Sequence, residues 1–393
     1  MLKHIAIDEL QPGMFVNQVV EQSGTLRMRS KGLVKTQGAI DALKAKGILV
    51  VEIDTDKSNL PVTHKAAKKP EQPAAKSAPL SHSDALNQAN DLYNQALSIQ
   101  GTFIDELKSG AGRDVTPVVE LSKSIIDSVF DNQDALSCLT MIKDADSYLL
   151  EHSINCSVLM SMFANHLGYD RDTIEQACLG ALLMDVGMSS IPEELRYSKE
   201  SLSKSDWELV KTHVDIGVEL VEQCGDISDL ALNVIAQHHE RNDGSGYPNS
   251  LEKDTISVFA RMAAIIDSYD AMISKRPHQE SIAPAAALKR LVKQPALDQE
   301  LVNQFVQCVG VHPVGSLVRL KSGKLGIVSQ AGKTDLLSPV VMTFYSTNSG
   351  HYNEIKRLDL SKTDDEVVSG VRPDDFGINL PKFFREVFIH QVP

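Results

Sequence analysis

Hydrophobic residues recur at helical spacing through the middle of the chain and alternate with polar residues near both ends. Residues 1–56 contain a strand-like alternation at 14–20, a helical segment at 39–45 and an apolar strand at 48–53. This pattern predicts a small α+β module. It is too short to form a catalytic domain by itself.

The next segment, residues 57–82, has no periodic apolar face and is rich in Lys, Pro, Ala and Ser. Such a composition is typical of a flexible linker. Helical periodicity returns at 83–135, with a break near Gly110, and dominates 136–311. We therefore predict a helical connector followed by an all-helical domain.

Short strands and turns replace the helices in the last part of the chain, residues 312–393. Segment 316–328 has the pattern of a β-hairpin, and 340–345 that of a further strand. The whole pattern predicts a mainly α protein, in which a helical bundle carries a small N-terminal α+β module and a small C-terminal β appendage.

Composition narrows the functional class. The formal charge of −13 argues against a general nucleic-acid binder and predicts no DNA partner, although a small anionic ligand remains compatible with it. Five widely spaced cysteines without a C-x-x-C pair are typical of reduced thiols. No apolar run reaches the roughly 18 residues of a membrane helix. We expect a cytoplasmic protein without a membrane span.

Candidate chemistry is concentrated in the stretch 237–248. His238 and His239 follow an apolar helical run and leave its buried side, and Glu240, Asp243 and a Gly-Ser-Gly-Tyr-Pro loop come next. Buried imidazoles need partners, so this pair either makes hydrogen bonds in the core or binds a metal.

Other helices also place ionisable residues on apolar stripes, namely His152, Asp185, His213 and Asp267, with Asp270 one turn after Asp267. One such residue is more often a satisfied core polar group than a ligand. Several in one helical domain favour a divalent metal, which compensates their charge and takes up their lone pairs.

The order and spacing of these residues resemble those of the HD-GYP subgroup of the HD-domain metal-dependent phosphohydrolases. These are helical bacterial cyclic di-GMP phosphodiesterases with a non-haem metal centre. The resemblance covers residues 140–310, and His-His-Glu followed by Asp-Gly-x-Gly-Tyr-Pro is its most specific part. The N-terminal module is similar to the domain of unknown function often found ahead of HD-GYP domains.

The resemblance implies one or two divalent ions, iron or manganese, held by six ligands: His152, Asp185, His213, His238, His239 and Asp267. Asp185 would bridge two metals and serve as the catalytic carboxylate. The resemblance also assigns substrate contacts to Gly246, Tyr247, Pro248 and the phosphate-binding Arg276.

Four positions depart from the family pattern. Met184 replaces the histidine of the His-Asp pair, Met188 replaces a lysine, Gln279 replaces a basic residue and Tyr148 replaces a glutamate. By resemblance, one metal position keeps all its ligands and the other lacks an imidazole. A thioether is too soft to replace imidazole on Mn²⁺ or Fe²⁺.

The predicted function is therefore hydrolysis of cyclic di-GMP to the linear dinucleotide, to GMP, or to both. The alternative is an inactive member that acts as a cyclic di-GMP sensor or a protein scaffold. Signalling partners such as GGDEF-domain proteins, and a homodimer, stay open. Among single residues, we expect Trp207 to be a packing anchor and His166 to lie on the surface.

Overall fold

The computed structural model of the chain describes residues 2–7, 10, 14–22, 32–34, 40, 43–44, 48–54, 82–110, 114–141, 148–276, 279–332 and 335–384. Contacts divide the chain into two compact units, Met1–Lys76 and Ser77–Pro393. All but the last residue of the predicted linker 57–82 lies outside the described residues. The predicted boundaries at 136 and 312 fall within the second unit and stay predictions.

The first unit contains an antiparallel sheet with the strand order β1-β4-β2-β3. Its strands are β1 Leu2–Ala6, β2 Phe15–Gln22, β3 Gly32–Leu33 and β4 Ile48–Asp54. The predicted strands at 14–20 and 48–53 are confirmed. Of the predicted helix 39–45, only residues 40, 43 and 44 are described, and these are helical.

Helices dominate the second unit, which confirms the predicted mainly α class. They are α1 His82–Ser109, α2 Thr116–Thr140, α3 Tyr148–His166, α4 Arg171–Leu183, α5 Glu193–Arg196, α6 Lys204–Lys211, α7 His213–Glu222, α8 Asp229–Gln237, α9 Val258–Ile273, α10 Pro284–Leu291, α11 Gln299–Val309 and α12 Leu380–Phe383. No described helix is both long enough and apolar enough to cross a membrane.

Helix α3 is the centre of the bundle. Every residue from Glu151 to Ala164 is buried, because α2, α4 and α9 pack around it. A helix enclosed in this way has no solvent-facing side, and its sequence accordingly shows apolar residues all round with only small or specifically placed polar ones between them. The polar side chains that it does carry, such as His152, are consequently delivered into the core and need partners there.

A close backbone contact holds the end of α4 against the start of α7. After α4, a short 3₁₀ turn covers Val186–Ser190. A Cβ atom on Gly187 would lie 2.0 Å from the carbonyl oxygen of His213, so only glycine allows this approach. The contact fixes Asp185, two residues earlier, beside the first residue of α7.

A five-stranded antiparallel sheet follows the helices of the bundle and precedes the short α12. Its order is β8-β7-β6-β5-β9, with β5 Leu317–Leu320, β6 Lys324–Gln330, β7 Val340–Ser346, β8 His351–Asp359 and β9 Val367–Gly370. The predicted hairpin and the strand at 340–345 are confirmed. Leu317 and Leu325 belong to the same hydrophobic core as the helices, so the sheet is packed on the bundle.

Candidate metal centre and its cleft

The six predicted metal ligands come from five elements and form one cluster of mutual contacts. Five of the side chains are buried and His239 is partly exposed. The ligands are His152 on α3, Asp185 after α4, His213 at the start of α7, His238 and His239 after α8, and Asp267 on α9. The structure thus brings together every residue that was placed in the ligand set.

Asp185 lies at the centre of this cluster. Its Oδ2 atom is 3.3 Å from Nε2 of His152, and its Oδ1 atom is 3.4 Å from Nε2 of His213 and 3.8 Å from Nε2 of His238. Three imidazoles from three different helical segments therefore face one carboxylate. Ligand atoms of Asp185, His213, His238 and His239 all lie within 4.8 Å of one another.

Two of these imidazoles are held in the tautomer that binds metals. Nδ1–H of His213 donates to the carbonyl of Val210 at 2.7 Å, and Nδ1–H of His238 donates to the carbonyl of Ile235 at 2.8 Å. Because a carbonyl only accepts, the lone pair of each ring is on Nε2. Both Nε2 atoms are buried and have no hydrogen-bond partner in the described part of the chain.

The Nε2 atoms of His213 and His238 indicate whether these residues could bind a metal ion. A buried nitrogen lone pair without a donor is costly, and metal-ligating histidines typically direct their other ring N–H to a carbonyl. The donor set of one carboxylate and three imidazoles is also suited to divalent transition metals. The residues of this half of the cluster therefore fit a divalent ion.

The other half is built around a single imidazole. Nε2 of His152 lies 3.2 Å from Asp267 and 3.3 Å from Asp185, and its Nδ1 lies 2.8 Å from Oδ2 of Asp270. Asp270 was not among the predicted site residues. Its position one turn after Asp267 on α9 was the available signal, because that spacing places both carboxylates on the same helix face.

The charged side chains of the cluster shift one another's pKa values. Burial opposes ionisation of Asp185, but the surrounding imidazoles outweigh it and hold the pKa of this carboxyl well below its ordinary value. Burial likewise opposes protonation of His152, yet the acidic groups around it raise its pKa well above the ordinary value. Burial and the neighbouring His238 hold the pKa of His239 well below that of a free imidazole.

Met184 occupies the position of the expected imidazole. It follows the last residue of α4, is completely buried and belongs to the hydrophobic core. Met188 lines the cleft described below, so an uncharged side chain stands where the family has lysine. Compared with the family pattern, the half of the cluster around His152 consequently has one imidazole fewer, and the cleft has one positive charge fewer.

The loop after the histidine pair folds back onto it. The backbone N–H of Tyr247 donates to the carbonyl of His239 at 3.2 Å, and the two rings stack with centroids 4.6 Å apart. A Cβ atom on Gly246 would lie 2.4 Å from Cα of Glu240, so glycine is required at this contact. Pro248 follows in the same loop. The substrate role predicted for this loop stays a prediction.

Glu240 holds the loop in this position, and sequence reasoning did not assign it that role. Its side chain is buried, Oε1 accepts the N–H of Asn249 at 2.7 Å and Oε2 accepts the N–H of Leu251 at 2.9 Å. One carboxylate thus satisfies two backbone donors of an irregular segment. The signal was its place inside the His-His-Glu motif.

Arg276 and Tyr148 form a pair beside the cluster. The guanidinium donates to the Tyr148 hydroxyl and lies 4.5 Å from its ring centroid, and the Tyr148 ring stacks on His152 at 5.4 Å. Nε of Arg276 is buried and has no hydrogen-bond acceptor among the described residues. A buried cationic donor without an acceptor suits an anionic ligand.

From this pair a cavity of ≈ 550 Å³ extends outward. Trp207 lines it and is 44 % exposed, so the expectation that this residue anchors packing is wrong. The sequence places Trp207 at the start of an amphipathic helix, and this position alone does not show whether the side chain faces the core or a cleft. His166 is exposed at the end of α3, as expected.

Comparison with known proteins agrees with this architecture. Residues 137–301 match the HD domain family, and residues 2–118 match a domain of unknown function, DUF3391. A Pseudomonas aeruginosa protein named as a cyclic di-GMP phosphodiesterase is 31% identical over 89% of this chain and 86% of its own length. A Thermotoga maritima protein with the same name is 29% identical over 39% of this chain and 41% of its own length.

A solved structure of an HDGYP protein from Bdellovibrio bacteriovorus is also similar. It has a TM-score of 0.50 and 19% sequence identity, and the match covers 78% of this chain and 99% of that one. At this identity the likeness concerns the fold alone. The helical bundle and its buried His/Asp cluster define a protein of the metal-binding helical class. Within that class, the chain belongs to the HD-GYP family of HD-domain proteins, with a DUF3391 domain ahead of the bundle.

Proposed function

We propose that this chain is a metal-dependent phosphodiesterase that hydrolyses cyclic di-GMP to the linear dinucleotide, to GMP, or to both. One observation carries the proposal: beside a central carboxylate, two buried imidazoles present Nε2 atoms that have no hydrogen-bond partner among the described residues, next to a cleft lined by Arg276, whose buried Nε likewise has no acceptor there. The named activity of the Pseudomonas relative supports the same substrate.

In this proposal the first metal position uses Asp185, His213, His238 and His239. The second uses His152 and Asp267 together with the shared Asp185. These residues would hold a divalent ion, iron or manganese, which when bound would supply Lewis-acid stabilisation of the charge that develops on the phosphoryl oxygens and a lowered pKa for water.

The side chains of the protein perform the remaining tasks. Asp185, whose pKa is held well below the ordinary value, stays ionised and keeps the ligand imidazoles in place. Arg276 binds a phosphate oxygen by charge-assisted hydrogen bonds, and Tyr148 orients it by occupying one side of its guanidinium. Gly246, Tyr247 and Pro248 shape the wall of the site above His239.

A second function, cyclic di-GMP binding without hydrolysis, is favoured by one specific observation. Three of the four replaced positions affect chemistry or phosphate charge: Met184 removes a metal ligand, and Met188 and Gln279 each remove a cation from the cleft that they line. The loop 246–248 and Arg276, which concern ligand binding, are retained. A cytoplasmic location remains part of the proposal on composition, and a GGDEF-domain partner and a homodimer remain open possibilities within it.

A cleavage assay separates the two functions. Purified chain is reconstituted anaerobically with Mn²⁺ or Fe²⁺, incubated with cyclic di-GMP, and the linear dinucleotide and GMP are resolved by chromatography. We expect hydrolysis by the natural chain, its loss in His238→Ala, and no change in His166→Ala, which alters an exposed imidazole of the same bundle. Met184→His is expected to raise the rate.

The outcomes are distinct. Binding of the dinucleotide with no cleavage by the natural chain or by Met184→His supports the sensor. Absence of bound metal and of dinucleotide binding in the natural chain overturns both functions. Circular dichroism of each variant establishes that a lost activity does not reflect unfolding.

A further inference from the structure

The cavity beside the metal cluster has an inner and an outer end. Tyr148, Met188 and Arg276 line the inner end, where Tyr148 stacks on the ligand His152. The outer end is formed by the end of α5, the segment that follows it and α6, and none of its residues has a part in the function proposed above. A volume of ≈ 550 Å³ is in the range of clefts that enclose small-molecule ligands.

The lining of this cavity is cationic although the chain as a whole carries −13. It includes Arg196, Lys199 and Arg276 as cations and Glu200 as its one carboxylate, so three positive charges and one negative charge give a formal +2. A local excess of positive charge on an acidic protein attracts an anionic ligand. A cyclic dinucleotide carries two phosphodiester groups, and Arg276 can serve only one of them.

Arg196 is fixed at the outer end. Its Nε donates to the carbonyl of Ile191 at 3.0 Å and an Nη donates to Glu193 at 3.2 Å. Its guanidinium carbon lies 5.4 Å from the ring centroid of Tyr197. The cation and the aromatic ring that follows it are therefore positioned together. Because Arg196 and Tyr197 are already held in place, little side-chain conformational entropy would be lost when a ligand binds to them.

Two large aromatic side chains are exposed in the same part of the cavity. Tyr197 is 46 % exposed and Trp207, the one tryptophan of the chain, is 44 % exposed. The capping box between Ser203 and Asp206 fixes the start of α6 and with it Trp207. The indole also makes an edge contact with Tyr247 at 6.4 Å, which links it to the loop over His239.

We propose that Tyr197 and Trp207 form a base-stacking subsite for the half of the cyclic dinucleotide that lies away from the metal centre, with Arg196 and Lys199 facing its second phosphodiester. The inference rests on the proposed function, because it takes the scissile phosphate to lie at the metal cluster. Aromatic side chains next to cations are the usual platform for purine bases.

The fluorescence of Trp207 permits a direct test, because the emission of a single tryptophan reports on one position in the chain. The chain is mixed rapidly with cyclic di-GMP and the tryptophan emission is followed before turnover, while KM and kcat are measured separately. We expect a saturable change in emission. Trp207→Leu should raise KM for cyclic di-GMP by about 5- to 150-fold, the effect of losing one stacked base. Trp207→Phe, which keeps an aromatic face, should retain most of the affinity.

Two controls separate stacking from structural damage. Phe130→Leu alters an aromatic residue of α2 that is 42 % exposed but does not line this cavity, and it should leave KM unchanged. The base-free diester bis(4-nitrophenyl) phosphate needs only the metal end, so Trp207→Leu should hydrolyse it at close to the natural rate.

Two results would overturn the subsite. Equal losses with both substrates in Trp207→Leu, or an emission that does not respond to cyclic di-GMP before turnover in a chain that goes on to cleave it, reject the stacking role and leave the proposed hydrolysis intact. Failure of the natural chain to bind or cleave cyclic di-GMP at all instead defeats the proposed function.

Discussion

Replacing Glu240 by glutamine tests how the loop over the metal cluster is held. The carboxylate is buried and accepts the backbone N–H groups of Asn249 and Leu251 at 2.7 and 2.9 Å. Glutamine has nearly the same shape but only one acceptor oxygen. One backbone donor would consequently face an amide NH₂ group, and the other would lose a charged acceptor.

The magnitude follows from these two hydrogen bonds. A hydrogen bond to a charged group contributes about 1.5–3 kcal/mol, and a buried donor without a partner costs about 1–3 kcal/mol. Glu240→Gln loses one bond and weakens the other, so we expect the free energy of unfolding to fall by about 3 kcal/mol. Because the loop carries Tyr247 onto His239, KM for cyclic di-GMP should rise as well.

Urea denaturation, steady-state kinetics and metal analysis together measure the effect. The matched control is Glu252→Gln, the same chemical change on an exposed residue of the same loop, for which a change within about 0.5 kcal/mol is expected. Metal content should be preserved in both variants, since neither residue is a ligand. If the two variants unfold at the same urea concentration, Glu240 does not hold the loop.

Three further predictions concern the cluster itself. Gly187→Ala should destabilise the bundle and reduce metal content, because its Cβ would meet the carbonyl of His213. The control Gly101→Ala should do neither, because the added Cβ would make only an ordinary van der Waals contact. Thermal melting and metal analysis compare the two variants. Burial opposes protonation of His213 but Asp185 outweighs it and raises the pKa, so protons compete for this ligand above the usual ~6.5. Metal measured after dialysis should fall as the pH is lowered, and a flat profile down to about pH 5 contradicts this. Arg276→Lys should lower kcat/KM about tenfold, because lysine cannot both pack a planar group on the Tyr148 ring and make the hydrogen bonds to phosphate. An unchanged kcat/KM would exclude a phosphate contact by Arg276.

Local periodicity was sufficient to predict most of the fold. The strands at 48–53 and 340–345 and the hairpin after residue 316 depend on neighbouring residues only, and each is confirmed. The long-range approaches were not predictable from one sequence. The contact of Gly187 with the carbonyl of His213 is an example, because it joins two segments whose mutual distance no periodicity encodes.

The site was predicted in its ligands but not in the groups that support them. Family resemblance supplied the six ligand positions, which the structure brings together and whose metal roles stay a proposal. Asp270 and Glu240 stood out in the sequence beside the ligands but were given no supporting role, because periodicity does not show which distant residue a side chain will contact. Trp207 was misassigned for a related reason: periodicity reports an apolar face, and a ligand cleft and a core both require one.

The two halves of the cluster differ in donor chemistry, and this asymmetry connects the two candidate functions. One half has three imidazoles and Asp185, a set rich in nitrogen. The other has only His152 among carboxylates, since Met184 contributes no ligand that suits a hard cation. The nitrogen-rich half should therefore fill first as metal is added. Under the proposed function, a singly loaded chain would already hold a cation beside the cleft and could bind an anionic dinucleotide, whereas two-metal hydrolysis would need the weaker half as well. Metal availability would then decide between binding and cleavage, and activity that saturates at one equivalent of metal would contradict this account.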